Sequence, residues 1–306
     1  MASPLRSRLS SLQTPEPTSD AVSESGKAAR PILLSYDQMP KWFRQESNKY
    51  ILSGYRDISG SFITSLCSLS YLHNESVNIY SHLIPAVFFF LGEWYIQQYS
   101  EVTGADSIAL SIFMLAAVTC LSLSVAYHTL MNHSKRVGHF CLRLDMLGVV
   151  VFILGDLVLG IYLVFWCERL LRNIYWSLSA VIGMLNIFVT MHPKFQGPEY
   201  RLLRTLMFAA TGFSGVSPLV HGINMFGLSQ MLRKAFPYTL AKAGCLLLGT
   251  SFYLSRFPES QYPGEFDLCS SHSIFHILVV CAAIVQLAGY LDAFSYAHAN
   301  LTCQSL

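Results

Sequence analysis

The chain has 306 residues, 53% of them hydrophobic and 12% charged, with a mean hydropathy of +0.43. Soluble domains carry about 25% charged residues, so this composition excludes an ordinary soluble domain and points to a membrane protein. The formal net charge of +2, with no long Lys/Arg cluster, excludes a nucleic-acid-binding surface.

Residues 1–35, rich in Ser, Pro and Thr, lack the apolar core of a secretory signal and are expected to form a disordered cytosolic tail. Residues 36–77 mix Trp42, Phe43, Tyr50, Tyr55, Phe62 and Leu66 with polar side chains and read as an amphipathic segment lying along the membrane interface. Seven apolar stretches follow, near 78–98, 107–130, 144–166, 173–191, 204–222, 237–255 and 272–292, each close to the length of about 20 residues that a spanning helix needs. They predict an all-α membrane protein with a seven-helix transmembrane domain over 78–292 and a short non-cytosolic tail over 293–306. Pro85 and Pro218 fall inside the first and fifth stretches and predict kinks there.

Basic residues set the orientation. With a cytosolic N-terminus, the cytosolic side holds Lys27, Arg30, Lys41, Arg44, Lys49, Arg56, Lys135, Arg136, Arg143, Lys194, Arg201, Arg204 and Arg256, against Arg169, Arg172, Arg233 and Lys234 opposite. The eight cysteines include no C-x-x-C pair and read mostly as small buried hydrophobes. Cys167 and Cys303 both fall on the non-cytosolic side, where pairing is open to them.

Ionisable residues inside apolar stretches are expensive and usually functional. In this topology the second span ends at His128, the third begins at Asp145, and the seventh carries His272 and His276 in its first turns. All four share one depth on the cytosolic side. The four-residue spacing of His272 and His276 puts two imidazoles on one helical face, as a shared metal requires. Three imidazoles leave a fourth position for water, so the set fits a catalytic zinc site, with Asp145 as the carboxylate that orients the water or takes its proton. Ser124, one turn before His128, is a candidate to hold a substrate carbonyl or a neighbouring ligand. His82 and His221 read as hydrogen-bonded bundle residues, and His73, His133, His139, His192 and His298 as solvated ones.

Gly54-Tyr55-Arg56, His73-Asn74-Glu75-Ser76-Val77-Asn78, Ser124-x-x-x-His128, Arg143-Leu144-Asp145 and the run from Tyr262 to His276 form an ordered set that resembles the progestin and adipoQ receptor family, also called the haemolysin III family. The resemblance covers about Tyr36 to Tyr290, and the Tyr36-to-Trp42 run looks most like fungal and plant members. It implies seven spans with a cytosolic N-terminus, and Zn2+ near the cytosolic face on His128, His272 and His276, with Asp145 holding the zinc-bound water. It further implies a ceramidase-like amide hydrolysis, with ceramide or fatty acid among the lipid partners, an extracellular protein ligand, and roles in zinc, sterol and lipid homeostasis. Arg204, with Gly212, Ser214-Gly215, Pro218 and His221, resembles the family's fifth span, where an arginine meets a fatty-acid carboxylate; as a plain residue at a helix end it reads equally well as a positive-inside anchor.

Asp156 departs from the adiponectin-receptor pattern. It lies about three turns deeper than Asp145 on the same face, a candidate for a lipid hydroxyl or for a bond to Asn186. Three functions stay open: a zinc-dependent hydrolase that is also a lipid-linked receptor, a receptor with a structural zinc clamp, and a zinc or proton transporter using Asp145 and Asp156. The membrane, plasma membrane or endoplasmic reticulum, is not legible.

Overall fold

A computed structural model of the chain describes residues 32–46, 48–99, 104–196 and 198–303; the expected tail over 1–35 lies almost wholly outside them. The described residues are helical, with no strand and an isolated antiparallel bridge between Leu34 and Tyr55. The helices are α1 (Phe62–Cys67), α2 (Ser76–Tyr99), α3 (Ala105–Leu130), α4 (Lys135–Val164), α5 (Arg169–Met191), α6 (Arg201–Phe213), α7 (Val216–Arg233), α8 (Phe236–Ser255) and α9 (Ser271–Asn300).

Six segments among the described residues are long and apolar enough to cross a membrane, with Leu202–Arg233 counted as one across the α6–α7 junction. Large apolar side chains such as Phe88, Leu170, Met184, Leu247 and Leu254 stay exposed on outward faces. That is untenable in water over so large an area and ordinary in lipid. The α8 helix is 20 residues long, about 30 Å at the α-helical rise, but Lys242 and its Gly, Thr, Ser and Tyr residues leave it outside the six.

The proline expectations divide. Pro85 sits inside an uninterrupted α2. Near Pro218 the chain breaks at Ser214–Gly215 and restarts as α7, so the proline lies in a first turn, where its missing N–H removes no helical hydrogen bond.

The helices pack mainly as α2 on α3, α3 on α4 and α8 on α9. The α3–α4 contact depends on missing side chains. A Cβ at Gly155 would stand 2.5 Å from the Cβ of Ala116, and one at Gly148 would stand 3.0 Å from the Cα of Cys120. Small residues let two membrane helices approach until dispersion and weak polar contacts hold them, because lipid supplies no hydrophobic drive between helices. Ser134 opens α4 by accepting the Val137 N–H, so the turn from α3 is short and keeps His128 and Asp145 at one end of the bundle.

The opposite end is tied covalently. Cys167, beyond α4, and Cys303, beyond α9, form a disulfide with Cα atoms 5.2 Å apart. Beside it, Asp106 at the start of α3 accepts from Tyr162 of α4 and pairs with His298 of α9 at 2.9 Å, so His298 is exposed but not simply solvated.

Between the two ends, Asp156 of α4 pairs with Lys242 of α8 at 2.6 Å and accepts the Tyr290 hydroxyl of α9 at 2.8 Å. The proposed bond to Asn186 is not formed. Asn186 donates instead to Thr211 at 2.9 Å, joining α5 to α6. A carboxylate at this depth takes the cation that cancels its charge, and Lys242, 86 residues away, was not recognisable as that partner from spacing. Removing one member of such a pair strands the other, at a cost of about 3–5 kcal/mol. Lys242→Met alone should therefore lower the thermal midpoint of the detergent-solubilised protein strongly. Adding Asp156→Asn, which keeps an acceptor for Tyr290, should recover most of the loss; equal melting of the single and double variants would show that the pair carries no stability.

Candidate metal centre

His128 lies in the last turn of α3, and His272 and His276 lie in the first two turns of α9, which starts after Ser270. Helix direction brings those turns to the same end, and the three imidazoles converge. Their ligand-capable nitrogens all lie within 4.8 Å of one another, a set that can hold a metal ion. The Nε2 atoms of His272 and His276 stand 3.1 Å apart. Two imidazoles bound tetrahedrally to one zinc at about 2.0–2.1 Å would be separated by about 3.3 Å, so the pair needs little movement to share an ion. His128 Nε2 is buried and has no hydrogen-bond partner. A buried lone pair without a partner is costly, and a cation between the three rings would satisfy it.

His128 Nδ1 meets Glu75 Oε2 at 2.8 Å. A carboxylate only accepts, so Nδ1 carries the proton and Nε2 is left as the donor to a metal. Asn78 of α2 donates to the same carboxylate oxygen at 2.7 Å, and its own carbonyl accepts from Ser273 of α9 at 2.7 Å. Arg56 reaches the other side of α3's last turn, donating to the carbonyls of His128 at 2.6 Å and Thr129 at 3.0 Å. Arg56, counted among the cytosolic basic residues, is 4% exposed and caps a helix end whose carbonyls have no intrahelical partner. His82 is stacked on His276 with ring centroids 4.0 Å apart rather than hydrogen-bonded across the bundle, whereas His221 does bond Tyr175 at 3.0 Å.

Asp145 is buried on α4 and lines, with Glu75, Asn78, Tyr127, His128 and His272, a cavity of about 380 Å³. Arg204 borders the same cavity, and its guanidinium donates to the Phe195 carbonyl. Ser124 is buried beside the Asp145 carboxyl and is not part of the cavity wall. It is thus placed to orient Asp145 rather than a substrate. Trp42, Phe43, Asn48 and Ile51, from the segment preceding α1, cover the cavity. Asp267 pins that cover by accepting the backbone N–H groups of Leu52 and Ser53 at 2.9 and 2.8 Å.

Glu75 was not singled out in the sequence, although it stands one residue before a span. The rule that flagged His128 and Asp145, an ionisable group at the edge of an apolar stretch, applies to it equally.

A family profile described as haemolysin-III related matches residues 70–287. The chain is 34% identical over 292 residues to the ADIPOR-like receptor IZH2 of Saccharomyces cerevisiae, covering 93% of this chain and 92% of that protein. It is 34% identical over 265 residues to the adiponectin receptor protein of Drosophila melanogaster, covering 85% of this chain and 59% of that one. It is 30% identical over 328 residues to the heptahelical transmembrane protein ADIPOR1 of Oryza sativa subsp. japonica, covering 89% and 86%.

The matched region includes His73 and Glu75, which lie just before α2. Burial pushes the Glu75 carboxyl up, but the hydrogen bonds from His128 and Asn78 and the Arg56 charge outweigh it and hold it below the ordinary carboxylate range. His73, expected to be solvated, is 2% exposed; burial and then the Arg56 charge push it down to about 3. Its Nδ1 accepts the Glu75 backbone N–H at 3.1 Å, which requires the neutral ring. Between about pH 6.5 and pH 3 the unfolded chain therefore binds a proton at His73 that the folded chain does not, and stability falls as pH falls through that window. Glu75 adds the same sign only below its ordinary value of 4.5. Melting should drop from pH 7.5 to pH 5, and His73→Gln should flatten that dependence; an identical slope in the variant would remove His73 as its source.

Proposed function

The chain belongs to the haemolysin-III related family, in its adiponectin-receptor branch, and from that premise we propose that it is a zinc-containing seven-span membrane receptor with ceramidase-like lipid amide hydrolase activity. The observation that carries this reading is the convergence of His128, His272 and His276, with His128 and His272 lining one cavity together with a buried Asp145.

The seventh span is α8. It packs along α9, and its one charge, Lys242, is neutralised inside the bundle by Asp156. The orientation draws support from two sources. The site end carries most of the basic loop residues, and the disulfide between Cys167 and Cys303 ties the other end, as suits an oxidising compartment. The N-terminus and metal centre then face the cytosol, and the disulfide end faces an extracellular protein ligand.

His128, His272 and His276 would hold the zinc, which when bound would supply Lewis-acid chemistry and lower the pKa of water towards neutrality. Asp145, oriented by Ser124, holds the attacking water and takes its proton as the oxygen bonds to the amide carbonyl carbon; the carbon–nitrogen bond then breaks and the proton passes to the departing amine. Arg204, at the cavity border, receives the fatty-acid carboxylate that results. The cover from Trp42 to Ile51 keeps bulk water away, leaving the acyl chain to enter from the bilayer. A role in zinc, sterol and lipid homeostasis is what the family resemblance implies for it.

A second reading, a non-catalytic receptor in which zinc clamps the helices, is favoured by how many bonds knit the centre to α2, α3 and α9. Purified protein should contain about one zinc per chain. Asp145→Ala should keep that zinc and its melting temperature while abolishing ceramide turnover. Unchanged turnover would sink the catalytic claim, and a zinc-replete wild type that hydrolyses no lipid would favour the clamp.

A further inference from the structure

We infer that Glu75 is a positioning residue for the metal: acting through His128, it fixes which imidazole nitrogen faces the ion, and its charge strengthens that nitrogen as a donor. The inference rests on the zinc reading above and extends it to a residue outside the ligand set.

The geometry is a continuous chain of hydrogen bonds. The Ser273 hydroxyl donates to the Asn78 carbonyl at 2.7 Å, the Asn78 amide donates to Glu75 Oε2 at 2.7 Å, and the same oxygen meets His128 Nδ1 at 2.8 Å. Ser273 is fully buried and lies between His272 and His276 in sequence. The carboxylate that sets the tautomer and tilt of His128 is thus held from the helix that carries the other two imidazoles. Each polarity in the chain is forced, because the carboxylate accepts only and Asn78 has a single donating end. Arg56 holds the backbone of His128 from the opposite side, donating to its carbonyl at 2.6 Å. Ring and backbone are therefore both fixed while Nε2 has no hydrogen-bond partner. A histidine ligand whose second nitrogen donates to a carboxylate is oriented and made more basic by it, and loss of such a partner weakens metal binding by about 10- to 100-fold.

Two substitutions separate the parts of this role. Glu75→Gln keeps an acceptor oxygen for both His128 and Asn78 and removes the charge. Glu75→Leu removes charge and acceptor together. Full-length protein in detergent, stripped of metal, is titrated with zinc against a competing chelator, and its cobalt-substituted form is recorded by visible absorption. The expected order is wild type tightest, Glu75→Gln about tenfold weaker and Glu75→Leu towards about 100-fold weaker, with cobalt bands displaced in the same order. Metal-free Glu75→Gln should stay folded and melt only a little below wild type. Wild type that binds zinc, with both variants binding as tightly, overturns the Glu75 role and leaves the zinc reading standing. Weaker zinc binding accompanied by an equal loss of metal-free stability and an unchanged cobalt spectrum also overturns it, as a merely structural role. Wild type that binds neither zinc nor cobalt overturns both.

Discussion

The contact between Glu75 and His128 is the interaction on which the site end of this bundle depends. It joins the start of α2 to the end of α3, and through Asn78 and Ser273 it reaches the start of α9. Its members are buried where water cannot compensate a lost hydrogen bond, so removing one partner costs far more than the pair is worth in water. Once these three helix ends are joined, the three imidazoles have little freedom to separate. The order of the centre thus comes from a network of satisfied polar groups, and apolar packing lies elsewhere, in the α3–α4 seam and the α8–α9 pair.

The same demand for partners repeats along the bundle. At mid-depth Asp156 takes Lys242 and Tyr290; at the far end Asp106 takes Tyr162 and His298. Three layers of polar side chains therefore cross-link helices that lipid alone would not press together. In each layer one acidic group on α3, on α4 or just before α2 gathers donors from neighbouring helices. The disulfide adds a covalent tie from α4 to α9 at the far end only, leaving the site end held by bonds that can break and re-form.

What was legible in the sequence follows from the kind of signal each residue gives. The His272–His276 pair is written in a local period, and His128 and Asp145 are placed beside it by counting antiparallel spans, so helix geometry sufficed to bring them to one end. Asp156 was legible as a costly residue, but its partner was not, because Lys242 lies on a helix whose rotation relative to α4 is set by packing, which no local period encodes. His73 was misplaced for a related reason. It sits in a segment read as interfacial, where polar composition suggests solvent, whereas the chain folds back over the helix ends and buries it. Glu75 stands beside His73 in that segment and shared its fate.

That fold-back has a consequence for access. The cover over the cavity comes from residues preceding α1, pinned by Asp267 in the stretch between α8 and α9. The two segments that shield the imidazoles from the aqueous side are thus held to each other, and the cover is also held to the end of α3, through Arg56 on the His128 carbonyl and Met131 packed against Met39, Phe43 and Tyr55. Asp267 grips the cover through backbone N–H groups and the Ser53 hydroxyl, partly exposed bonds that are worth little net in water. Beneath it His128 is fixed at its ring by Glu75 and at its backbone by Arg56. The cover and the centre therefore share an anchor: the Arg56 contact that holds the segment preceding α1 to the end of α3 is the one that fixes the backbone of His128, so whatever reaches the cavity meets a centre whose geometry is already set.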